Sequence, residues 1–224
     1  MECRLLNRKS RPGTIVTYPR KKIFITTLLG ASWLVALAFG ARTLFRYETT
    51  PGLVGPVAST WPLVSIVPQQ TDKPTLLMFA HPHCPCTRAS VGELAQIMAH
   101  ALGKVNAYVL FVKPPNAGAD WDDTDLRTSA AAIPGVTVVT DENGKEAARF
   151  GAETSGHTLV FDRSGALVFS GGITASRGHA GDNAGESAVL AALSQQAVDR
   201  ARTPVFGCSL TKRASDSERK LCSK

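Results

Sequence analysis

The sequence predicts an α/β domain, with a central mixed sheet and helices on both faces, behind an N-terminal transmembrane helix. Three observations carry this prediction. An uncharged apolar run of 19 residues extends from Ile23 to Ala41, which is long enough to cross a bilayer as a helix. From residue 74 onward, apolar runs of strand length alternate with segments in which apolar residues recur at helical spacing. Near the end of that region, two strand-like runs flank the turn Asp162-Arg-Ser-Gly165, which indicates a hairpin.

The N-terminal segment predicts where the chain resides. Basic residues precede the apolar run at Arg4, Arg8, Lys9, Arg11, Arg20, Lys21 and Lys22. Because a basic flank stays in the cytoplasm, we expect 1–22 to be cytoplasmic and 23–45 to be a single-pass signal anchor in the inner membrane. The remaining chain would then face the periplasm. The alternative is a cleaved signal peptide, for which Ala36, Ala38 and Gly40 supply small residues.

The net charge of +7 is concentrated in the targeting segment. Residues 1–46 carry nine basic residues and one acidic residue, whereas residues 47–224 carry 16 basic and 17 acidic residues. The exported part is therefore nearly neutral, and the basicity does not indicate a nucleic-acid partner.

The exported part is expected to consist of a linker, one domain and a tail. Residues 46–73 are rich in Pro and Gly and predict a linker, with a short strand at Leu63–Val67. Residues 74–202 are long enough for one domain with its own core, and 203–224 form a basic C-terminal tail. The predicted strands of the domain are 75–80, 105–112, 136–140, 157–161 and 166–169. The predicted helices are 87–102, 122–132, 145–150 and 186–202.

The motif that carries chemistry is His81-Pro-His-Cys-Pro-Cys-Thr87, at the junction of the first predicted strand and the first predicted helix. A helix N-terminus stabilises a thiolate, which is the reactive form of cysteine. A second thiol close in sequence can resolve a mixed disulfide without a third protein. The motif predicts a thiol–disulfide oxidoreductase; inert cysteines or a structural disulfide are the alternative.

Three segments carry a resemblance to a known family. Phe79–Cys86 looks like a strand followed by a Trp-Cys-x-x-Cys site, and Val136–Gly151 looks like a strand, an Asp-x-x-Gly turn and a short helix. Thr154–Gly165 looks like a Thr-Pro-Thr-Thr-x-x-x-Asp-x-x-Gly strand and hairpin. On these segments the chain resembles the membrane-anchored thioredoxin-like proteins of the TlpA and cytochrome-maturation type. With its Gly-rich segment near residue 180, it is also similar to an uncharacterised group labelled RedB.

The resemblance covers about residues 75–175. It implies a thioredoxin-like fold and no organic cofactor, with protein thiols or a partner dithiol as redox partners. Two departures matter. Cys84-Pro85-Cys86 has one intervening residue where the family has two, so a disulfide in this small ring is expected to be strained and more oxidising. Gly156, followed by His157, stands where the family has a cis-proline that helps to bind extended substrates and keeps metals out. Gly156 and His157 are therefore candidate substrate-binding residues.

The expected catalytic roles follow the order of the motif. Cys84 would attack, because it lies nearer the strand end and is expected to be more exposed, and Cys86 would resolve the mixed disulfide. His83 and Arg88 would lower the pKa of the attacking thiol.

A metal (copper) chaperone or sensor on the same fold is the alternative function. Thiolate and imidazole suit copper or zinc, and a related family of thioredoxin-like copper chaperones is loosely similar. The candidate ligands are Cys84, Cys86, His81, His83 and His157, with His179 from the Gly-rich segment 171–185. That segment, which also holds Arg177, either closes over the cysteines or is a flexible connection.

The remaining cysteines leave two alternatives open. Cys208 and Cys222 form a structural disulfide, or Cys208 lies near the active site and Cys222 is free. Cys3 belongs to the expected cytoplasmic segment.

Overall fold

The computed structural model describes residues 20–194, 196 and 200–211, and the chain divides after Phe45 into two compact units. The N-terminal unit consists of most of helix α1, Arg20–Thr49, which has 30 residues and a mean hydropathy of 2.0. It is the one helix in the described part of the chain that is long and apolar enough to cross a membrane. Helices of this length and composition near an N-terminus occur as membrane anchors and as signal sequences.

The second unit is built on a five-stranded mixed sheet. Its strands are β1 (Thr75–Ala80), β2 (Asn106–Lys113), β3 (Val136–Glu142), β4 (His157–Phe161) and β5 (Leu167–Gly171). Its helices are α2 (Thr87–Ala101), α3 (Asp125–Ala131), α4 (Lys145–Phe150) and α5 (Ala184–Leu193). The strand order is β3-β2-β1-β4-β5; β1, β2 and β3 are parallel, and β4 is antiparallel to both of its neighbours. The thioredoxin-like fold predicted from the sequence is confirmed.

The sheet has a core on each face. Helices α2, α3 and α5 pack on one face through residues such as Leu94, Leu126 and Val189. Helix α4 covers the other face through Phe150. Strand β1 is buried along its whole length between these layers, which explains its unbroken apolar run, Thr75–Ala80.

The cysteine motif occupies the turn between β1 and α2. The Cys84 N–H donates to the His81 carbonyl (3.0 Å), and the Thr87 N–H donates to the Cys84 carbonyl (3.2 Å). Cys86 is the N-cap residue of α2. The motif therefore lies at a helix N-terminus, as the sequence predicts.

The predicted linker, 46–73, packs on the domain over part of its length, at Trp61. Trp61 stacks edge-on against Phe150 and Phe161, with ring centroids 5.3 and 5.2 Å apart. The predicted strand Leu63–Val67 is wrong: Leu63 is exposed, and the described segment pairs with the sheet earlier, at Thr60. Exposed apolar residues without a partner strand have nothing to hold them in the ladder.

The last predicted helix is too long at its C-terminal end. Helix α5 stops at Leu193, and Arg202 instead forms a parallel bridge with Ser170 of β5. The following residues Val205, Phe206 and Leu210 are buried. Residues 203–211 therefore pack on the domain, and the rest of the predicted basic tail, 212–224, lies outside the described residues.

Candidate thiol site

Three free cysteines meet at the N-terminus of α2. Cys84 and Cys86 are buried and Cys208 is half-buried. The Cys208 N–H donates to the Cys84 sulfur at 3.4 Å, and the Cys208 thiol also hydrogen-bonds to Cys84. Cys86 hydrogen-bonds to Cys84 as well. Cys208 therefore lies beside the cysteine motif, and Cys222 lies outside the described residues.

The environment favours ionisation of one of the three thiols. Burial raises the pKa of Cys84, but hydrogen bonds from Thr87 and Cys208 outweigh it and hold that pKa below its usual value. Burial and the charge of Cys84 raise the pKa of Cys86. Burial and the hydrogen bond to Cys84 raise the pKa of Cys208 to about 12. Since a thiolate is the nucleophile, Cys84 is the thiol prepared for attack.

Cys208 is held in place by a short extension of the backbone ladder. The Ser155 N–H donates to the Cys208 carbonyl (2.8 Å), and Thr154 forms an antiparallel bridge with Ser209. Gly207 permits this approach, because a Cβ there would lie 1.9 Å from the Ser155 carbonyl oxygen. The position of Cys208 next to Cys84 is thus fixed by its backbone.

The expected order of exposure is wrong. Cys84 is 2% exposed and Cys86 is 8% exposed, because the Cys208 segment lies over Cys84. Access to Cys84 is through a cleft of about 210 Å³, which is also lined by His83, Arg88 and Asp125.

Arg88 borders this cleft but is engaged elsewhere. Its guanidinium forms an ion pair with the Asp125 carboxylate at 2.5 Å, and both side chains are more than half exposed. The hydrogen bonds that lower the pKa of Cys84 come from Thr87 and Cys208, rather than from Arg88 or His83 as the sequence suggests.

The two histidines of the motif stack with an aromatic residue that sequence reasoning missed. The His83 ring lies 4.6 Å from the Trp121 ring and the His81 ring lies 5.8 Å from it, both edge-on. The His83 N–H donates to Nδ1 of His81 (3.2 Å). Burial, and then the neighbouring His83, lowers the pKa of His81. The rings of His81, His83 and Trp121 thus form one cluster, and His83 lines the same cleft as Cys84.

Gly156 and His157 lie at the start of β4. Gly156 has a φ of +88°, which favours glycine, and the Ser90 hydroxyl lies 2.8 Å from where a Cβ would stand. The Ser90 hydroxyl therefore occupies the space that a side chain at position 156 would take. His157 is fully buried, its Nε2 lies 2.9 Å from the Ser170 hydroxyl, and burial lowers its pKa to about 4.

The candidate metal ligands do not form one cluster suited to a metal ion. Among residues 20–194, 196 and 200–211, no group of three or more His, Cys, Asp or Glu side chains is placed to hold a metal ion. His179 is exposed and lies 2.8 Å from the Ser176 hydroxyl in its own loop.

Arg177 is the cation of the site. Its charge lowers the pKa of Cys86 and of Cys208, and its guanidinium donates to the Gly207 carbonyl and lies 5.2 Å from the Tyr47 ring. The sequence drew attention to the Gly-rich segment, and the structure places its arginine beside the thiols. Nothing in the local pattern around Tyr47 indicated its hydrogen bond to Cys86.

Ser155 was also missed by sequence reasoning. Its hydroxyl accepts the His81 N–H (2.8 Å) and lies 2.6 Å from the Thr87 hydroxyl. It thereby ties the cysteine turn to the strand that holds Cys208.

No protein-family model matches the chain, and no curated protein matches it. Solved structures do match. An uncharacterised conserved protein from Geobacillus kaustophilus is 18% identical, with 74% of this chain and 94% of that chain covered and a TM-score of 0.55. A hypothetical protein from Sinorhizobium meliloti is also 18% identical, with 75% and 98% covered and a TM-score of 0.54. A secreted disulfide oxidoreductase of Mycobacterium tuberculosis is 16% identical, with 57% and 84% covered and a TM-score of 0.41. The first two likenesses concern the fold alone.

Proposed function

We propose that this protein is a membrane-tethered thiol–disulfide oxidoreductase in which Cys84 is the attacking thiolate. The observation that supports the proposal most strongly is the surroundings of Cys84. Hydrogen bonds from Thr87 and Cys208 stabilise its thiolate at the start of α2, with two further thiols in contact. Inert buried cysteines have raised pKa values and need no such donors.

The chemistry is exchange between a chain thiol and a protein disulfide. The Cys84 thiolate attacks a substrate sulfur presented in the cleft beside His83 and Arg88, and a mixed disulfide forms. Cys86, as the sequence predicts, or Cys208, as the contact suggests, then completes the exchange. A neighbouring groove of about 640 Å³, lined by His81, Trp121 and other residues, offers room for the polypeptide around the substrate cysteine.

The location belongs to the same proposal. Helix α1 would be retained as a single-pass anchor in the inner membrane, and the basic residues before it would keep that end cytoplasmic. The thiol domain would then face the periplasm, an oxidising compartment in which exchange with protein disulfides has a use. A partner dithiol would supply or remove electrons.

The test is a disulfide-reduction assay on the full chain in detergent, with insulin as substrate and a dithiol as reductant. We expect Cys84→Ser to abolish exchange. Cys3→Ser is the matched control, because that cysteine lies in the predicted cytoplasmic segment, and it should leave the rate unchanged. Arg88→Gln should also leave most activity, because its guanidinium is paired with Asp125. Exchange that persists in Cys84→Ser contradicts the proposal.

The metal-binding alternative remains a prediction with its own measurement. Titration of the reduced chain with copper(I) or zinc(II), followed by metal analysis, tests it. Uptake near one ion per chain that is lost in Cys84→Ser would support it, and failure to retain either metal would remove it.

A further inference from the structure

We propose that Cys208 is the thiol that resolves the mixed disulfide at Cys84, so that the oxidised site contains a Cys84–Cys208 disulfide. The inference rests on the proposed function, because it assigns the second step of that exchange. It replaces the resolving role that the sequence gives to Cys86.

Cys208 and Cys84 lie in contact. The Cys208 N–H donates to the Cys84 sulfur (3.4 Å), and the Cys208 side chain is close enough to help lower the pKa of Cys84. A thiol held beside the sulfur it must attack needs little rearrangement. The backbone of Cys208 is also held from the other side, by the Ser155 N–H on its carbonyl.

The Cys-Pro-Cys turn does not favour a bond between its own two cysteines. The turn is closed by hydrogen bonds from Thr87 to the Cys84 carbonyl and from Arg88 to the Pro85 carbonyl. Cys86 has helical dihedral angles, φ −67° and ψ −29°. A Cys84–Cys86 bond would close a small ring across this turn and is expected to be strained, whereas a Cys84–Cys208 bond joins two separate segments that already touch.

The exchange balances with these two thiols. The Cys84 thiolate attacks a substrate disulfide, one substrate thiolate leaves, and a bond forms between Cys84 and the other substrate sulfur. The Cys208 thiolate then attacks the Cys84 sulfur, the second substrate thiolate leaves, and the Cys84–Cys208 bond forms. The substrate gains two electrons and the chain loses two, while the two released thiolates take up protons, one of them lost by Cys208. A dithiol reductant returns the chain to its starting state.

The order of the two steps is built into the site. While Cys84 is a thiolate, it hydrogen-bonds to the Cys208 thiol and suppresses ionisation of Cys208. Once Cys84 is bound in a mixed disulfide, that charge is gone, and Cys208 can ionise beside Arg177, whose charge favours its thiolate.

Disulfide mapping of the unmutated full chain tests the inference directly. The reduced chain in detergent is oxidised with one equivalent of a small disulfide, its free thiols are alkylated, and the peptides are identified by mass spectrometry. We expect a peptide pair joined through Cys84 and Cys208. A Cys84–Cys86 linkage, or a Cys208–Cys222 linkage with Cys84 and Cys86 both left as thiols, would overturn the inference.

A kinetic comparison separates this inference from the proposed function. In Cys208→Ser, whose hydroxyl can still donate to Cys84, the first substrate thiol should still leave, and the mixed disulfide at Cys84 should then accumulate. In the matched variant Cys86→Ser, the second substrate thiol should still leave. The opposite pattern, with accumulation in Cys86→Ser, would overturn the role of Cys208 and leave the proposed function intact. Absence of any mixed disulfide at Cys84 would overturn both.

Discussion

Gly207→Ala should loosen the Cys208 segment and destabilise the thiol domain. The added Cβ would lie 1.9 Å from the Ser155 carbonyl oxygen, whereas real Cβ atoms keep at least 3.0 Å, so the two backbones must separate by about 1 Å. That movement strains the hydrogen bonds from Ser155 to Cys208 (2.8 Å) and from Cys208 to Cys84 (3.4 Å). Overpacking costs about 1–3 kcal/mol and each hydrogen bond about 1 kcal/mol, so we expect a loss of roughly 2–4 kcal/mol.

Thermal unfolding and amide hydrogen exchange measure this effect. For a unit of this size, 1 kcal/mol shifts the midpoint by about 2–4 °C, so Gly207→Ala should lower it by roughly 5–15 °C. If the segment detaches locally, the loss appears instead as faster exchange of the Ser155 and Leu210 amides, which donate across this contact.

The matched control is Gly92→Ala in α2. Gly92 is exposed, and nothing lies within 4 Å of its added Cβ. The same substitution should therefore stabilise the protein there by about 0.5–1 kcal/mol, through helix propensity alone. A Gly207→Ala protein with the midpoint and the amide protection of the unmutated chain would refute the reasoning.

Three further predictions concern charge and redox properties. His157→Gln should flatten the pH dependence of stability between pH 6.5 and 4. Burial lowers the folded-state pKa of His157 from 6.5 to about 4, so in this window the unfolded state binds a proton that the folded state does not. The free energy of unfolding of the unmutated protein therefore falls by about 3 kcal/mol as the pH falls through that window, and an unchanged midpoint-versus-pH curve in the variant would contradict this. Arg177→Gln should raise the pKa of the Cys208 thiol further and slow the second step at neutral pH, with the rate recovering at higher pH in stopped-flow traces. In a Cys208→Ser background, one residue inserted between Pro85 and Cys86 should lower the reduction potential of the Cys84–Cys86 disulfide in a glutathione titration. The expected change is about 30 mV for each 1.4 kcal/mol of relieved strain. An equal or higher potential would show that local charges set the potential.

The sequence predicted the sheet well, because each of its strands has a local signature. The burial of β1 on both faces produces its continuous apolar run, and the turn at Asp162–Gly165 produces the hairpin of β4 and β5. The errors lie where a segment has no periodicity of its own. The helical pattern predicts that 201–202 end a helix, but 201–204 run beside β5 because β5 offers them an open edge.

The sequence predicts only the part of the candidate site whose residues are neighbours along the chain. Cys84 and Cys86 are adjacent to a strand end and a helix start, so the sequence places them. Cys208 reaches Cys84 from 124 positions away. The contact between Cys208 and Cys84 depends on Gly207 lying against Ser155. Because this is a tertiary contact between distant positions, no short sequence pattern predicts it.

The grouping of three thiols around one cation has an electrostatic consequence. Two thiolates about 4 Å apart repel by about 4 kcal/mol at an effective dielectric constant of 20, so the cluster accommodates one negative charge at a time. The hydrogen bonds from Thr87 and Cys208 place that charge on Cys84, and Arg177 acts on the other two sulfurs. Each bond that Cys84 forms removes its charge and makes the next ionisation easier. The same cluster therefore keeps a single nucleophile in the resting protein and produces a second one only after the first has reacted.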